Sequence, residues 1–317
     1  MTPLSLHIRQ IRLEANDTLS FDLAAPDGAE LPSFSAGSHI DIQIPGGPRR
    51  SYSLTGASNR RDRYRIAVKH AQDSRGGSRW LHESARVGMA LEVHGPRNQF
   101  ELAEDASFTV LVAGGIGITP LLPMAARLSE LKRPWALHYT TRRKRDLAFE
   151  RELRSLETLG HGKVHLHCTA EGDARLDPVG IARQAPLDSH VYVCGPQSLI
   201  DATLEACASR PSRHVHHERF NATQAPATNG SYELVLARSG RRLPVAAGRT
   251  MLDTLLEAGI DVPFSCTQGI CGSCRVDVIG GSPDHRDEYL SDDERESGRC
   301  VMACCSGSHS PELTLDL

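Results

Sequence analysis

The stretch CTQGICGSC, residues 266–274, constrains the fold of this chain more than any other stretch. It holds three cysteines in the spacing C-x4-C-x2-C, with Gly269 and Gly272 between them. Three thiols do not complete a four-sulfur metal site, so a fourth ligand has to come from elsewhere in the chain. The candidates lie downstream: Cys300, Cys304 and Cys305. The fold must therefore bring a distant segment to this glycine-containing loop.

This spacing is typical of plant-type [2Fe-2S] ferredoxins, in which C-x4-C-x2-C is followed by a distant fourth cysteine. The two glycines suit such a loop, because a loop around a cluster needs positive φ angles and close approach of N–H groups to the sulfides. The alternatives are a zinc site and buried free thiols. Zinc motifs favour paired C-x2-C units, and only one such unit is present here. The pattern therefore favours an iron–sulfur cluster.

The cysteine count and the charge limit the class of protein. The chain has 317 residues and an odd number of cysteines, nine, and its N-terminus shows no export signal. These features favour metal or redox use of the cysteines in the cytoplasm over a disulfide framework. The formal net charge of -3 argues against nucleic-acid binding, and the apolar runs are too short to span a membrane.

Hydrophobic patterns divide the chain into three domains. Residues 1–103 contain short alternating strands bounded by turn residues, which predicts a β-barrel or a sandwich, of which we expect the antiparallel β-barrel. In residues 104–224, apolar strands alternate with helices, which predicts an α/β domain with a parallel sheet. Residues 221–231, NATQAPATNGS, are predicted to form a linker. Residues 230–317 start with a hairpin and a helix and then carry the cysteine loop.

A glycine turn in the middle domain predicts a nucleotide site. VLVAGGIGITPLLPMA is predicted to form a strand, a turn and a helix start, and Gly114, Gly115 and Gly117 let the backbone approach a pyrophosphate at the helix N-terminus. Pro120 replaces the third glycine of G-x-G-x-x-G, and alone this turn also fits an ordinary tight connection. The later turn CGPQSLI, residues 194–200, repeats the pattern at another strand end. The two turns together indicate a nucleotide site more specifically than either turn alone.

The barrel carries two further stretches with a chemical interpretation. They are RRSYSL, residues 49–54, and VKHAQDSRGGSRWLHE, residues 68–83, which begins in the predicted strand YRIAVKH. An isolated Tyr-Ser pair on a strand is normally explained by packing. Gly76, Gly77 and Ser78, however, provide a second candidate phosphate site at a helix predicted to begin near Arg79.

Taken together, these segments resemble the phthalate dioxygenase reductase family. The C-terminal resemblance lies in FSCTQGICGSCRVDVIGGSPDHRDEYLSDDE and CCSGSHSPELTLDL. It implies that residues 230–317 form a plant-type ferredoxin domain with the β-grasp fold. In this family a ligand cysteine followed by x-Ser stands at a fixed distance before the closing ELxLDL, which implies Cys304. The resemblance thus implies four cluster ligands and no ligand role for Cys300 or Cys305. The ligands are Cys266, Cys271, Cys274 and Cys304.

The same resemblance implies roles for the flavin and nucleotide residues. GGxGxTP with the later CGP resembles the nucleotide domain of the ferredoxin reductase superfamily, and R-x-Y-S resembles its flavin motif. Arg50 would neutralise the flavin phosphate, and Thr119 and Cys194 would lie near the nicotinamide and the flavin. Phe220 would stack on the flavin, with Glu218 nearby. The implied catalytic residues are Thr119, Cys194 and Phe220. The implied binding residues are Arg50, Ser51, Tyr52, Ser53, Val68, Lys69, Gly76, Gly77, Ser78, Gly114, Gly115, Gly117, Thr119, Arg142, Cys194, Gly195, Pro196 and Phe220.

The resemblance also implies an activity, cofactors and a partner. It implies an NADH-dependent reductase, a monomer, that passes electrons through FMN and a [2Fe-2S] cluster to a Rieske-type oxygenase acting on an aromatic or similar small molecule. A C-terminal ferredoxin domain is the arrangement of the relatives that bind FMN. The alternatives are a flavin reductase or oxidase with another electron acceptor, and a zinc-binding protein without enzymatic activity.

Three polar stretches can each be interpreted in two ways. In TTRRKRD, residues 140–146, Arg142, Arg143 and Arg145 are candidates for a 2′-phosphate site, although the family mostly uses NADH. HVHHERF predicts His214 and His216 on one strand face, as a packed or solvated pair, because a third metal ligand is not evident. DHRDEYLSDDERE, residues 284–296, is predicted to be a solvated loop or helix face, with a docking surface for an electron acceptor as the alternative.

Overall fold

A computed structural model describes residues 3–72, 74 and 76–317 of the chain. It divides into two compact units, Met1–Arg219 and Phe220–Leu317. The first unit contains two main sheets and the second unit one main sheet. The fold class predicted from the sequence, an antiparallel barrel, a parallel α/β domain and a C-terminal β-grasp ferredoxin domain, is confirmed.

The first sheet is the predicted barrel. Its strands are β1 (Leu4–Ala15), β2 (Thr18–Ala24), β3 (Ser38–Gln43), β4 (Arg49–Ser53), β5 (Tyr64–Lys69) and β6 (Ala90–Asn98). They pair in the order β4-β3-β6-β1-β2-β5, and all pairings are antiparallel. A bridge between Leu54 and Ile66 joins the two edge strands and closes the barrel. Alternating residues such as Ile40 and Ile42 fill its interior.

Helix α1 (Gly77–Glu83) follows β5. The sequence predicted a start near Arg79, but the helix begins two residues earlier. The Trp80 N–H donates to the Gly76 carbonyl at 2.9 Å and so closes the first turn around the glycines. Gly76 has a φ of 98°, a conformation that favours glycine.

The second sheet has five parallel strands in the order β11-β10-β7-β8-β9. They are β7 (Thr109–Gly114), β8 (Trp135–Thr141), β9 (Gly162–Cys168), β10 (His190–Cys194) and β11 (Val215–Glu218). The helices are α2 (Ile118–Glu130), α3 (Glu150–Glu157), α4 (Pro178–Gln184) and α5 (Gln197–Ala206). The carboxyl ends of the strands share one edge, where open α/β sheets bind ligands. The sequence analysis missed α4, a short helix that Asp177 caps by accepting the Val179 N–H at 3.1 Å.

Side-chain contacts connect the barrel to the α/β sheet. Arg65 of β5 forms two hydrogen bonds with the carboxylate of Glu152 on α3, at 2.7 and 2.8 Å. The Arg65 guanidinium also lies 5.4 Å from the ring centre of Phe149. A two-bond arginine–carboxylate pair fixes orientation as well as distance. The end of the barrel is therefore held at the carboxyl edge of the α/β sheet.

The second unit is built around the sheet β13-β12-β18-β14-β16. Its strands are β12 (Tyr232–Leu236), β13 (Arg242–Val245), β14 (Arg275–Gly280), β15 (Pro283–Asp284), β16 (Cys300–Met302), β17 (Gly307–Ser308) and β18 (Glu312–Leu315). Its helices are α6 (Met251–Glu257) and α7 (Asp292–Ser297). The predicted hairpin is the antiparallel pair β12–β13. α6 buries Met251 and Leu255 against the sheet.

The predicted linker, residues 221–231, belongs to the second unit. It forms no helix or strand, and all of its residues are described. The Thr223 N–H donates to Glu288 Oε1 at 2.8 Å, and the Ala227 N–H donates to the Cys305 carbonyl at 2.7 Å. These bonds attach the segment to the sheet domain that follows it.

The helices of the described chain are short. α2, with 13 residues, is the longest of them. Within the described ranges, no helix combines the length and the hydrophobicity that a membrane span requires.

Candidate functional sites

The four predicted cluster ligands meet in the second unit. Cys266, Cys271 and Cys274 lie in the loop between α6 and β14, and Cys304 lies in the turn after β16. All four are buried. The sulfur of Cys304 is within hydrogen-bonding reach of those of Cys266 and Cys274, and Cys266 is within reach of Cys271. The fold thus closes the four-sulfur set that three neighbouring cysteines leave incomplete.

Backbone N–H groups point at these sulfurs. The Gln268 N–H donates to Cys266 Sγ at 3.3 Å, and the Gly269 N–H donates to Cys304 Sγ at 3.2 Å. Hydrogen bonds among these thiols lower the pKa of Cys266 and raise those of Cys271 and Cys304, because a thiol that donates such a bond keeps its proton. The thiolate is the form that binds a metal. A buried, N–H-lined set of four thiols fits a [2Fe-2S] cluster, whose potential depends on such bonds.

Between Cys266 and Cys274, three residues have a positive φ. Gly269 has a φ of 74° and Gly272 a φ of 69°, which confirms the expectation for the two glycines. Thr267, with a φ of 54°, was not predicted, because a threonine in this conformation carries no sequence signal. Its hydroxyl donates to the Cys266 carbonyl at 2.7 Å, which helps to hold the strained turn.

The two remaining cysteines of the second unit differ from each other. Both belong to the same hydrophobic core, and burial raises the pKa of Cys300. Cys305 lies within hydrogen-bonding reach of Cys304, and its own sulfur is 3.8 Å from the Met302 carbonyl. The structure therefore keeps Cys305 next to the thiol set. The assignment of the ligand role to Cys304 stays a prediction.

A single metal ion and a two-iron cluster would use these four thiols differently. A tetrahedral zinc ion would draw all four thiolates to one point. A [2Fe-2S] cluster instead distributes four cysteines over two irons.

In the first unit, three polar side chains meet between the barrel and the α/β sheet. Ser53 ends β4, Cys194 ends β10, and Glu218 ends β11 opposite Cys194 in the register. The Ser53 hydroxyl donates to the Glu218 carboxylate. Glu218 Oε2 is buried and has no hydrogen-bond partner among the described residues. An orphaned buried oxygen is a group that a bound ligand would satisfy.

Burial dominates the electrostatics at this junction. It raises the pKa of Glu218 from 4.5 to about 8, and the Ser53 hydrogen bond opposes the shift. Burial also raises the pKa of Cys194, and the nearby Glu218 adds to that shift. At neutral pH the site therefore offers a protonated carboxyl group and a neutral thiol.

The flavin motif and the glycine pair are in contact. A side chain at Gly77 would place its Cβ atom 2.8 Å from Arg50 Cγ and 2.9 Å from Tyr52 Oη, so only glycine fits there. Burial raises the pKa of Tyr52, with Arg50 opposing the shift, so the phenol stays neutral. The fold thus brings together the two stretches predicted to bind the flavin.

Other predicted flavin residues have local partners. The Ser51 hydroxyl donates to Asp41 Oδ1 at 2.6 Å. The Val68 carbonyl lies 2.8 Å from His82 Nε2, and Lys69 is exposed. Ser78 donates to Ser74 Oγ at 2.9 Å. Their flavin contacts remain predictions.

The glycine turn after β7 packs against the second turn. A Cβ atom at Gly114 would lie 2.5 Å from Pro196 Cδ, and one at Gly117 would clash with the Cys194 carbonyl. These two glycines are thus required for contact between the turns, not only for approach of a ligand. Gly115, with a φ of 54°, faces open space at the start of α2. It is the glycine of the three best placed for a pyrophosphate.

Three predicted residues lie in different settings. Thr119 is buried in the first turn of α2, and its hydroxyl donates to the Ile116 carbonyl at 2.9 Å. Arg142 is exposed just after β8. Phe220 is the first residue of the second unit, and its stacking on the flavin stays a prediction.

The histidine prediction needs a correction. Of the two predicted residues, His216 lies in β11, whereas His214 ends a short helical turn before the strand. His216 Nε2 is 3.0 Å from His190 Nδ1, and its ring stacks on Tyr192 with centroids 4.3 Å apart. Burial lowers the pKa of His216 to about 4, so it is neutral at physiological pH. The packed interpretation fits this histidine.

These sites define the class of protein: an oxidoreductase with flavin, nicotinamide-nucleotide and iron–sulfur sites. Three family models match in this order along the chain. The oxidoreductase FAD-binding domain matches residues 5–102, the oxidoreductase NAD-binding domain residues 111–205, and the 2Fe-2S iron-sulfur cluster binding domain residues 234–307. The zinc-binding alternative is thereby set aside.

Relatives narrow the class to a family. The chain is 50% identical to phenoxybenzoate dioxygenase subunit beta of Ectopseudomonas oleovorans, over 100% of this chain and 98% of that protein. It is 43% identical to tetrachlorobenzoquinone reductase of Sphingobium chlorophenolicum, over 100% and 99%. A solved structure of phthalate dioxygenase reductase superposes with a TM-score of 0.79 at 41% identity, covering 99% of this chain and 98% of that one. The chain belongs to the phthalate dioxygenase reductase family.

Proposed function

We propose that this protein takes electrons from NADH and delivers them one at a time to a Rieske-type non-haem iron oxygenase that acts on an aromatic or similar small molecule. The observation that carries this proposal is the presence of all three sites in one chain. The relative named as a dioxygenase subunit, aligned over the whole chain, supports an oxygenase partner. The reductase itself would not contact the oxygenase's substrate.

A bound flavin supplies the step between a two-electron donor and a one-electron acceptor. We propose FMN as this flavin, bound by Arg50 through its phosphate, with Gly76 and Gly77 at the same position. The contact between Gly77 and the Arg50 and Tyr52 side chains supports this placement. Acid extraction and chromatography of the released flavin would distinguish FMN from FAD, and FAD would refute this choice.

At the junction of the two sheets, Glu218 holds a proton at neutral pH and Ser53 orients its carboxyl group. Cys194, neutral and buried beside it, would contact the nicotinamide or the flavin without contributing a charge. Thr119 keeps the start of α2 closed through its bond to the Ile116 carbonyl. These residues would exclude water from the site and would hold one proton at a fixed position.

In the second unit, we propose that Cys266, Cys271, Cys274 and Cys304 hold the cluster. Gln268 and Gly269 donate N–H groups to two of their sulfurs. Such donors stabilise negative charge on the sulfurs and so raise the potential of the cluster relative to one without them.

We propose NADH as the nucleotide, with Arg142, Arg143 and Arg145 near its adenosine end. The three residues follow β8 and are exposed. A 2′-phosphate would need at least one of these guanidinium groups. Comparison of kcat/KM for NADH and NADPH tests the choice, and a higher value for NADPH would overturn it.

The test of the whole proposal is an anaerobic visible spectrum of the purified protein during titration with NADH. Flavin and iron–sulfur bands should both bleach. Bleaching of the flavin bands alone, in protein shown to contain iron and sulfide, would refute the passage of electrons to the cluster. Two further predictions have separate tests. Size-exclusion chromatography on a calibrated column would test whether the protein is a monomer, and cell fractionation would test whether it is located in the cytoplasm.

A second candidate function is reduction of a small quinone. The observation that favours it is the 43% identity to a relative named as a tetrachlorobenzoquinone reductase. A quinone accepts electrons without a protein docking surface. NADH-driven reduction of a halogenated benzoquinone at a higher kcat/KM than of a purified oxygenase component would favour this candidate.

A further inference from the structure

The acid-rich stretch predicted to be solvated instead covers the cysteine loop. Residues 285–290, here called the covering segment, contact the loop at both of its glycines. The Glu288 N–H donates to the Gly269 carbonyl at 3.0 Å. A Cβ atom at Gly272 would fall on the ring of Tyr289, so this ring lies against that glycine. The solvated interpretation therefore fails for this part of the stretch.

Asp287 holds the covering segment in its turn. Its side chain is fully buried, with 0% exposure. Oδ2 accepts the Tyr289 N–H at 3.2 Å and the Leu290 N–H at 2.8 Å. The Arg295 guanidinium donates to the Asp287 carbonyl at 2.9 Å and lies 3.8 Å from Oδ2. A buried carboxylate is costly to desolvate. The donors to Oδ2 and the Arg295 charge offset part of that cost, while Oδ1 is buried without a hydrogen-bond partner among the described residues.

The turn is linked to a cluster ligand through a single residue, Gly269, which uses its carbonyl on one side and its N–H on the other. The Asp287 backbone packs against Gly269, where a Cβ atom would lie 2.9 Å from Asp287 Cα. The Gly269 carbonyl accepts from the covering segment, and its N–H donates to Cys304 Sγ at 3.2 Å. The position of the covering segment therefore sets the position of an N–H donor on a ligand sulfur.

We propose that Asp287 is a positioning residue for the iron–sulfur cluster: it holds the covering segment against the cysteine loop and thereby fixes the Gly269 N–H on Cys304. The proposal rests on the cluster assignment given above. Outer-shell groups of this kind typically change metal affinity by about 10- to 100-fold when removed, and hydrogen bonds to the sulfurs contribute to the reduction potential.

The test compares Asp287→Ala with Asp287→Asn in the full-length protein. Both variants remove the same charge, but an amide oxygen still accepts the two backbone N–H groups. The midpoint potential of Asp287→Ala is expected to lie below that of Asp287→Asn, because the Gly269 N–H is no longer held on the sulfur. Loss of the cluster to a chelator should be about 10- to 100-fold faster in Asp287→Ala. Equal potentials in the two variants would overturn the proposal, since a purely structural role would not separate them.

Asp292→Ala is the matched control. This carboxylate pairs with the same Arg295 at 3.3 Å, but its side chain is 93% exposed. It should leave the potential and the rate of cluster loss as in the wild type; a shift as large as that of Asp287→Ala would show a general charge effect and overturn the proposal.

Two further measurements keep the outcome decisive. If Asp287→Ala gives no folded protein, Asp287→Ser replaces it, because a hydroxyl is a weaker local acceptor. The potential of Asp287→Ser should lie below that of Asp287→Asn, and equality would again overturn the proposal.

Iron and sulfide are measured first in the wild type. Their absence there would refute the proposed function, whereas an intact wild-type cluster with equal variants would refute only the role of Asp287.

Discussion

The second unit collects its four thiols from one loop and one turn, whereas the first unit collects Ser53, Cys194 and Glu218 from three strands in two sheets. In the second unit the proposed ligands would bind a metal cluster directly, and the spacing of three of them along the chain sets most of the geometry. In the first unit each residue contributes one weak contact, and two separate sheets must meet before any site exists. We therefore expect that replacing one ligand in the second unit abolishes cluster binding. Replacing one residue in the first unit should only weaken the binding of the flavin or the nucleotide.

The largest expected effect tests the second-unit side of this comparison. Cys304→Ala should abolish the cluster, because removal of a ligand costs more than the roughly 10- to 100-fold that loss of an outer-shell group costs. Reduction of the flavin by NADH should persist, while electron delivery to a one-electron acceptor collapses. Stopped-flow spectra and iron analysis measure the two together.

Cys305→Ala is the control for that assignment. Its sulfur is buried beside Cys304, so the substitution keeps the setting but not the thiol. The variant should retain iron and sulfide. If Cys305→Ala loses the cluster and Cys304→Ala keeps it, the two roles are reversed.

The next effect is graded and concerns the flavin. Arg50→Ala should weaken flavin binding by about 10- to 100-fold, because a hydrogen bond to a charged group contributes about 1.5–3 kcal/mol. Equilibrium dialysis with FMN measures it, with iron content unchanged. Arg60→Ala, an exposed arginine of the same barrel paired with Asp62, should bind FMN as the wild type does. Full flavin occupancy in Arg50→Ala at micromolar protein would contradict the phosphate assignment.

A further effect concerns Glu218, the acidic residue between the barrel and the α/β sheet. Between about pH 4.5 and 8 the folded protein keeps a proton on Glu218 that the unfolded chain releases, since burial raises the pKa to about 8. The free energy of unfolding of the first unit should therefore fall as the pH rises through this window, by a few kcal/mol at most. Glu218→Gln should remove this slope.

Urea unfolding at pH 5 and pH 8 measures the slope, with the exposed Glu205→Gln on α5 as the control. Glu205→Gln should keep the wild-type dependence. Identical pH dependence in the wild type and Glu218→Gln would show that the carboxyl group is not held protonated in the folded state.

The smallest expected effect concerns the nucleotide. Arg143→Ala should raise KM for NADH by at most about fivefold, because exposed ionic contacts contribute about 0.2–1 kcal/mol. A much larger effect on NADPH than on NADH would place a 2′-phosphate beside this arginine. Steady-state kinetics with both nucleotides decides between these outcomes.

The cysteine loop shows how much of a site the sequence can predict. The spacing of Cys266, Cys271 and Cys274 and the two glycines gave the cluster type, and the loop has the expected positive φ angles. The sequence analysis predicted neither the positive φ of Thr267 nor the burial of Asp287. A positive φ at a threonine carries no local signal, and an aspartate in an acid-rich stretch looks solvated until the fold buries it.

The glycine turns show a different limit. Gly114 and Gly117 were predicted from ligand approach, yet contact with Pro196 and Cys194 accounts for them. Their contact with a ligand stays a prediction, and the packing reason could not be predicted, because the sequence does not show that the two turns approach each other closely.

By itself the sequence determined the domain order, the type of sheet in each part and the stretches that carry the chemistry. Strand and helix periodicity and ligand spacing are local, so they can be recognised without a fold. Only the tertiary structure decided which side chains meet. It paired Ser53 with Glu218 beside Cys194, placed Gly77 against Arg50, and buried Asp287 over the cysteine loop. The physical reason is burial: it orphans the Glu218 oxygen and shifts the pKa of its carboxyl group, and burial depends on segments that are far apart in the chain.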